Sequence, residues 1–385
     1  MHSSTDLAGG SRLTQFQHVS PQWLFNRMQA ADDGGRLTLI DTRGFKCYEH
    51  SHIWSFVNLP QPLTSPAGSP FESVNMTALV HPDDVVAPMN DAAKRVWSKR
   101  RLTDIVLYDH FGMYPQASWA FQLAVVLLHE GAATSVKLLR GGMQAFQRDY
   151  PFMIASRKDQ QTRLSTAHDR PSPHALTSSM ALVYPNDVVP GFLFLGTTHQ
   201  ATQPEILRKM GITHVLSVSD APSALALPRI TYMHVPTTRR LGDAFDPCYV
   251  FLKKARKAGG KVLVHCATGV SAAPTLAVLY VMRADKISLV DAYNDVLACR
   301  PAMHPTEPCM HMLVEAELYR FGVASVQSLD EMHALQRGDL HEAAPSGAPP
   351  PKLATQLSML FRGRCNDQFV QTNMQHFFGD AAGVR

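Results

Sequence analysis

The sequence predicts an α/β protein of two domains, each with a mainly parallel sheet flanked by helices. Three observations carry this expectation. Strand-length apolar runs alternate with helical patterns, the order that yields parallel sheets covered by helices. This alternation occurs twice, on either side of a stretch rich in Ser, Thr, Asp, Gln, Arg and Pro without apolar periodicity. Finally, 385 residues exceed one typical core and suit two domains plus a tail.

The first block spans 16–152. Ser20-Pro21 offers a cap and a first-turn proline for a helix over Gln22 to Ala30. Leu37-Thr38-Leu39-Ile40, Ile105-Val106-Leu107-Tyr108 and Val136-Lys137-Leu138-Leu139 read as strands. Pro115 to His129 reads as a helix closed by Gly131. A basic cluster, Lys94, Arg95, Lys99, Arg100 and Arg101, is expected on the solvated face of a surface helix. Residues 153–182 are the expected linker.

The second block spans 183–323. Phe192 to Gly196 suggests an entry strand, and a short helix over Pro204 to Met210 stops at Gly211. Strands follow at His214 to Val218 and Thr231 to Val235. Asp246-Pro247 reads as the cap of a helix that ends at Gly259-Gly260. Lys261 to Val264 forms a strand, and Ala273 to Met282 is a long apolar helix. Ser288 with Asp291 suggests a capping box for a helix to Cys299, and Pro308 opens a final helix that stops at Gly322. Residues 324–385 are expected to form a largely disordered tail, Ala/Pro-rich from His341 to Lys352. Within it, Leu353 to Leu360 is a short amphipathic segment that suits docking or fraying.

Composition excludes several classes of protein. An apolar fraction of 45% and a charged fraction of 18% are ordinary for a globular chain. A formal charge of +4 gives no argument for nucleic acid or a membrane surface, though 18 His raise it in mild acid. Met1 to Thr14 is polar, unlike the apolar core of a signal peptide, and no run approaches the roughly 18 apolar residues of a membrane span. The six cysteines lie far apart without CxxC pairs, which favours reduced thiols over a disulfide or zinc framework. A cytoplasmic location, no metal and no cofactor are expected.

The chemistry concentrates in His265-Cys266-Ala267-Thr268-Gly269-Val270-Ser271-Ala272. A strand delivers a His-Cys pair into a loop of small residues that opens a helix, which places backbone N–H groups and a helix N-terminus around one point. Such an environment lowers a thiol from its free value of about 8.5 and cradles phosphate oxygens. His265 suits support of the loop, Gly269 allows its sharp turn, and Ser271 suits a hydrogen bond to the thiolate. Small core packing alone is a poor account of this pattern.

These residues resemble the signature of the cysteine-dependent protein phosphatases, in which five residues separate a nucleophilic Cys from an Arg. Cys266 fills the nucleophile position, while the Arg position holds Ala272, and Ala273 stands where a hydroxyl is usual. The lost guanidinium is a rigid bidentate fork that offsets transition-state charge. Losing one neutral oxyanion donor already costs about 10²–10³ in rate. The whole second block resembles the dual-specificity phosphatase family, through Phe192 to Gly196, Gly211 to Leu216 and Arg300-Pro301 besides the loop. That resemblance implies a general-acid Asp where this chain has Arg239, and an Asn near Thr306. Asp243 and Asp246 lie close to Arg239, although Asp246 is accounted for as a helix cap. Arg239 and Asp243 are the candidate substitutes for the lost clamp and acid, and Arg240 is a further candidate clamp.

In the first block, Leu39 to Arg43, Tyr48-Glu49, His52-Ile53, Asn58-Leu59-Pro60 and Gly141 to Phe146 resemble the rhodanese-like fold. A persulfide-bearing Cys is implied after the strand Ile105 to Tyr108, but Asp109 stands there, and a carboxylate cannot carry sulfur. Cys47 is expected to be structural, and Asp41 with Arg43 a fold-supporting ion pair. A rhodanese-like block before a dual-specificity block resembles the MAP-kinase phosphatases, which implies phosphoprotein or protein-kinase partners. The basic docking pair of those relatives is missing from Gln61-Pro62-Leu63-Thr64-Ser65-Pro66. The expected function is a catalytically inactive or impaired phosphatase that acts as a phospho-signalling regulator or scaffold. The alternative is an active protein phosphatase that uses Cys266 with a substitute Arg and general acid.

Overall fold

The structure, a computed structural model, describes residues 17–30, 37–61, 94, 97, 98, 100–156, 183–222 and 227–341. The chain divides into two units between Val183 and Tyr184.

The first unit contains β1 (Gln17–Val19), β2 (Leu37–Asp41), β3 (Ser51–Ile53), β4 (Val57–Asn58), β5 (Asp104–Tyr108), β6 (Ser135–Leu139) and β7 (Ile154–Ser156). Its main sheet has the order β1-β6-β5-β2-β4 and every pairing in it is parallel. Ile105, Val106, Leu107 and Tyr108 are all fully buried, as a central parallel strand covered on both faces requires. Ser20 accepts from Trp23 N–H at 3.1 Å to start the first helix, Pro21–Met28. The next long helix runs over Trp119–Glu130 and closes on Gly131 in the left-handed region. It starts four residues later than Pro115 because the Ser118 hydroxyl takes the Phe121 N–H.

The second unit contains β8 (Asn186–Val189), β9 (Leu193–Thr197), β10 (His214–Ser219), β11 (Thr231–Pro236) and β12 (Val262–Cys266). The order is β11-β10-β12-β9-β8, parallel except for the β8 edge. All five residues of β12 are buried, between β10 and β9. The apolar helix Ala272–Asp285 packs over it, with Ala273 to Met282 buried throughout.

Four expectations are corrected. The first domain does not end at 152, because β7 pairs antiparallel with β3 through Ser156; residues 157–182 of the expected linker lie outside the described residues. Arg100 is not on a solvated face. It is buried, makes two bonds to Glu130 at 2.9 and 2.5 Å, and stacks 4.4 Å from the Trp97 ring centroid. Asp246 does not cap its helix, which begins at Phe245; its carboxylate pairs with Arg283 at 2.6 Å. The chain after 323 does not loosen at once. Residues 324–341 continue the second unit with a helix over Leu329–Arg337, and Val326, Met332 and Leu335 are fully buried. Apolar burial and the caps at Ser328 and Gly338 hold it. The segments 62–66 and 342–385 lie outside the described residues. Among those described, no helix is long and apolar enough to cross a membrane.

Candidate phosphate-loop site

Strand β12 delivers Cys266 to the C-terminal edge of the parallel sheet, where open α/β sheets bind their ligands. The residue is 7% exposed. Residues 267–271 then turn into the helix at Ala272. Gly269 makes that turn at φ +68°, and a Cβ there would lie 2.6 Å from the Gly196 carbonyl oxygen.

The carbonyls of residues 268–271 are tied to the protein. Arg300 donates from Nε to Gly269 O at 2.8 Å and from Nη2 to Thr268 O at 3.4 Å, while its Nη1 is held by Asn186 at 2.6 Å. The His304 N–H donates to Val270 O at 2.7 Å. Thr275 donates to Ser271 O from its hydroxyl at 2.9 Å and from its N–H at 3.0 Å. In a trans peptide the N–H points opposite to the carbonyl of the same unit. The N–H groups of Gly269, Val270, Ser271 and Ala272 therefore turn away from these supports. They form an inner rim at the helix N-terminus, the polarity an anion needs. Burial lowers the Arg300 guanidinium from its usual range, while neighbouring Cys266 favours its charge.

His265 is 2% exposed. Its Nδ1 meets the Thr198 hydroxyl at 3.3 Å, and Nε2 is buried without a hydrogen-bond partner among the described residues. Burial lowers it to about 4, with a consequence for stability. As pH falls below about 6.5 the unfolded chain protonates this His, while the folded chain resists until about 4. The unfolded state therefore binds more protons across that window. Stability contributed by neutral His265 is complete above about pH 6.5 and is lost as pH falls toward 4. The window of about 2.5 pH units at about 1.4 kcal/mol each amounts to on the order of 3 kcal/mol. Urea unfolding of the full chain between pH 7 and 4, followed by amide exchange of peptides from β12 and the helix Ala272–Asp285, should show this loss and a shallower one in His265→Gln. Equal slopes would refute it.

The remaining candidates are placed as follows. The Ser271 hydroxyl is turned to Thr306 N–H at 3.0 Å and to the Cys309 sulfur at 3.7 Å, a correction to its expected bond with Cys266. Only the fold of the distant Thr306 segment determines that partner. Ala272 is half-buried against the core and offers a methyl group only. Arg239 donates from Nη2 to the Asp243 backbone carbonyl at 3.0 Å, so the two candidate substitutes are bonded to each other. Arg240 pairs with Glu315 at 2.9 Å. Burial pushes the nearby Cys248 thiol up to about 12, against the opposing pull of Arg239. Sequence reasoning cited Arg300 for family resemblance alone and missed it as the main support of the loop. It sits 31 residues beyond Gly269 in the chain.

In the first unit Asp109 follows β5 and plugs its own loop. One carboxylate oxygen accepts the Phe111 N–H at 3.0 Å and the Gly112 N–H at 2.5 Å. Burial raises its carboxyl from the ordinary value even so. Donors that an external anion would need are thus taken internally. Cys47 is exposed rather than structural. Asp41 and Arg43 form the expected buried ion pair. No group of three or more His, Cys, Asp or Glu suited to a metal ion occurs among the described residues.

A parallel sheet that ends in a cysteine, a tight loop with its N–H groups turned inward and a helix N-terminus define the fold of the cysteine-dependent phosphatases. Residues 193–318 match the family model of the dual specificity phosphatase catalytic domain, and residues 20–149 that of the rhodanese-like domain. The chain thus carries a rhodanese-like domain ahead of a dual-specificity phosphatase domain. It is 29% identical over 245 residues to the tyrosine-protein phosphatase vhp-1 of Caenorhabditis elegans, covering 61% of this chain and 36% of that one. It is 26% identical over 308 residues to human dual specificity protein phosphatase 16, covering 78% of this chain and 44% of the relative. The chain thus spans less than half the length of these two relatives. The crystal structure of DUSP15 aligns at 29% identity and a TM-score of 0.33, covering 41% of this chain and 98% of that one.

Proposed function

We propose that this chain is a dual-specificity phosphatase without effective turnover, which acts in the cytoplasm as a phospho-signalling regulator or scaffold. The observation that carries this reading is Ala272 in the place of the phosphate-clamping arginine. The two arginines nearest in sequence to the acid position are engaged elsewhere, Arg239 with Asp243 and Arg240 with Glu315. A clamp that must be drawn from an existing partner costs those bonds before it stabilises a transition state. The inner rim of N–H groups persists, so the second unit keeps the means to hold a phosphorylated side chain. The order of the two domains supports a phosphoprotein or protein kinase as the partner, as in the MAP-kinase phosphatases. The test is aryl-phosphate hydrolysis by the purified chain beside Cys266→Ser. Equal and negligible rates are expected. Turnover that disappears in Cys266→Ser would instead establish an active phosphatase with borrowed groups.

A further inference from the structure

The segment after the matched phosphatase domain bears directly on the phosphate loop. The family match ends at residue 318, yet the second unit continues through residues 324–341. This extension is built to stay in place. Its helix, Leu329–Arg337, is capped by the Ser328 hydroxyl on Glu331 N–H at 3.1 Å and closed by Gly338 in the left-handed region. Met332 and Leu335 are fully buried against the core of the unit. The segment leading in is tied by Glu317, a buried carboxylate that takes the Ser325 N–H at 2.8 Å and the Leu289 N–H at 2.7 Å. The segment leading out is tied by Asn294, which donates to Leu340 O at 2.9 Å.

From that anchored helix Gln336 donates its side-chain N–H to the Pro305 carbonyl at 2.6 Å. The Pro305 carbonyl and the Thr306 N–H belong to one planar peptide unit and point in opposite directions. The Thr306 N–H is the donor to Ser271 Oγ at 3.0 Å. Two residues earlier, the His304 N–H holds the Val270 carbonyl at 2.7 Å. Gln336 therefore grips the far side of the same rigid plate whose near side grips the phosphate loop.

We propose that residues 324–341 are a clasp that positions the phosphate loop from behind, with Gln336 as its positioning residue. The inference rests on reading residues 267–272 as a phosphate loop. With the clasp seated, the peptide at Pro305–Thr306 has one orientation, and Ser271 and Val270 are held with their N–H groups on the inner rim. With the contact broken, that peptide is free to rotate, and the rim loses two of its fixed points. The anion site thus answers to a segment beyond the family domain, so whatever displaces that segment changes what the loop can hold.

Amide hydrogen exchange of the full chain tests this without any ligand. Gln336→Glu replaces the donor with an oxygen that faces the Pro305 carbonyl. Peptides covering 267–275 and 303–308 should then exchange about five- to tenfold faster, the scale of one lost hydrogen bond, while β10 keeps its protection. Gln336→Lys keeps a donor and should return both peptides to within about twofold of the unmodified chain. Unchanged exchange at 267–275 in Gln336→Glu, equal acceleration in β10, or failure of Gln336→Lys to rescue would each overturn the proposal. Tungstate titration by calorimetry then separates it from the reading beneath it. Weaker tungstate binding in Gln336→Glu by the same factor supports both. The expected exchange pattern in a chain that never binds tungstate keeps the clasp and removes the phosphate-loop assignment.

Discussion

Ala272→Arg is expected to raise aryl-phosphate turnover of the full chain at least about 10²–10³-fold, the scale of restoring one oxyanion donor to a prepared site. Most of what the arginine needs is already in place. The loop is braced by Arg300, His304, Thr306 and Thr275, its N–H groups face inward, and residue 272 sits in the first turn of a buried helix. A guanidinium there would supply two parallel donors and a charge. The gain should depend on the leaving group. Arg239 stands where the family resemblance implies a general acid, so the proton donor at that position is missing. An aryl phosphate with a stable leaving anion should respond strongly, whereas a phosphoserine peptide, which needs its alkoxide protonated, should respond little. The double variant Cys266→Ser/Ala272→Arg should fall back to the starting rate. If Ala272→Arg stays silent on every substrate while still binding tungstate, the defect lies in the thiol or the acid rather than in the clamp.

The loop was legible in the sequence because its determinants are local: an apolar strand, a His-Cys pair, small residues and a helix start within one short stretch. The same holds for the helix ends set by Ser20, Gly131, Gly211 and Ser288, where a single side chain or a glycine decides the boundary. What escaped was non-local. Ser271 has the residue type for a bond to Cys266, and only the arrival of Thr306 from a later segment turns it away. The helix Leu329–Arg337 buries just Met332 and Leu335, too few apolar positions for a visible period. Its stability comes from a pocket formed by earlier helices. Arg100 was misread for a related reason. Five basic residues in eight suggest a charged surface, but Glu130 and Trp97 give one of them a buried place.

Arg43→Met is expected to destabilise the first unit by about 3–5 kcal/mol, the cost of leaving a buried charge without its partner. Asp41 is fully buried, and Arg43 meets it through two parallel bonds, Nε to Oδ1 at 3.0 Å and Nη2 to Oδ2 at 2.7 Å. The pair is also wired into the backbone. Arg43 Nη2 holds Ser51 O at 2.7 Å at the start of β3, and the Asn58 amide donates to the carbonyls of Asp41 and Arg43 at 3.1 and 2.7 Å. Tyr108 donates its hydroxyl to Asp41 Oδ2 at 2.5 Å; burial first, and then the Asp41 charge, push that hydroxyl well above its ordinary value. Burial works against the charge on Arg43, but the bonds and charge of Asp41 outweigh it and hold the guanidinium above its usual range. Removing the arginine strands the carboxylate among these groups. Removing both charges does not, so Asp41→Asn/Arg43→Met should lose less than Arg43→Met alone. The measurement is selective by construction, because all four tryptophans of the chain, Trp23, Trp54, Trp97 and Trp119, precede residue 183. Tryptophan fluorescence during urea unfolding therefore reports the first unit, and the second unfolds unseen. A loss below about 1 kcal/mol for Arg43→Met would place the pair with solvent-screened surface bridges and leave the rhodanese-like sheet held by its apolar core alone.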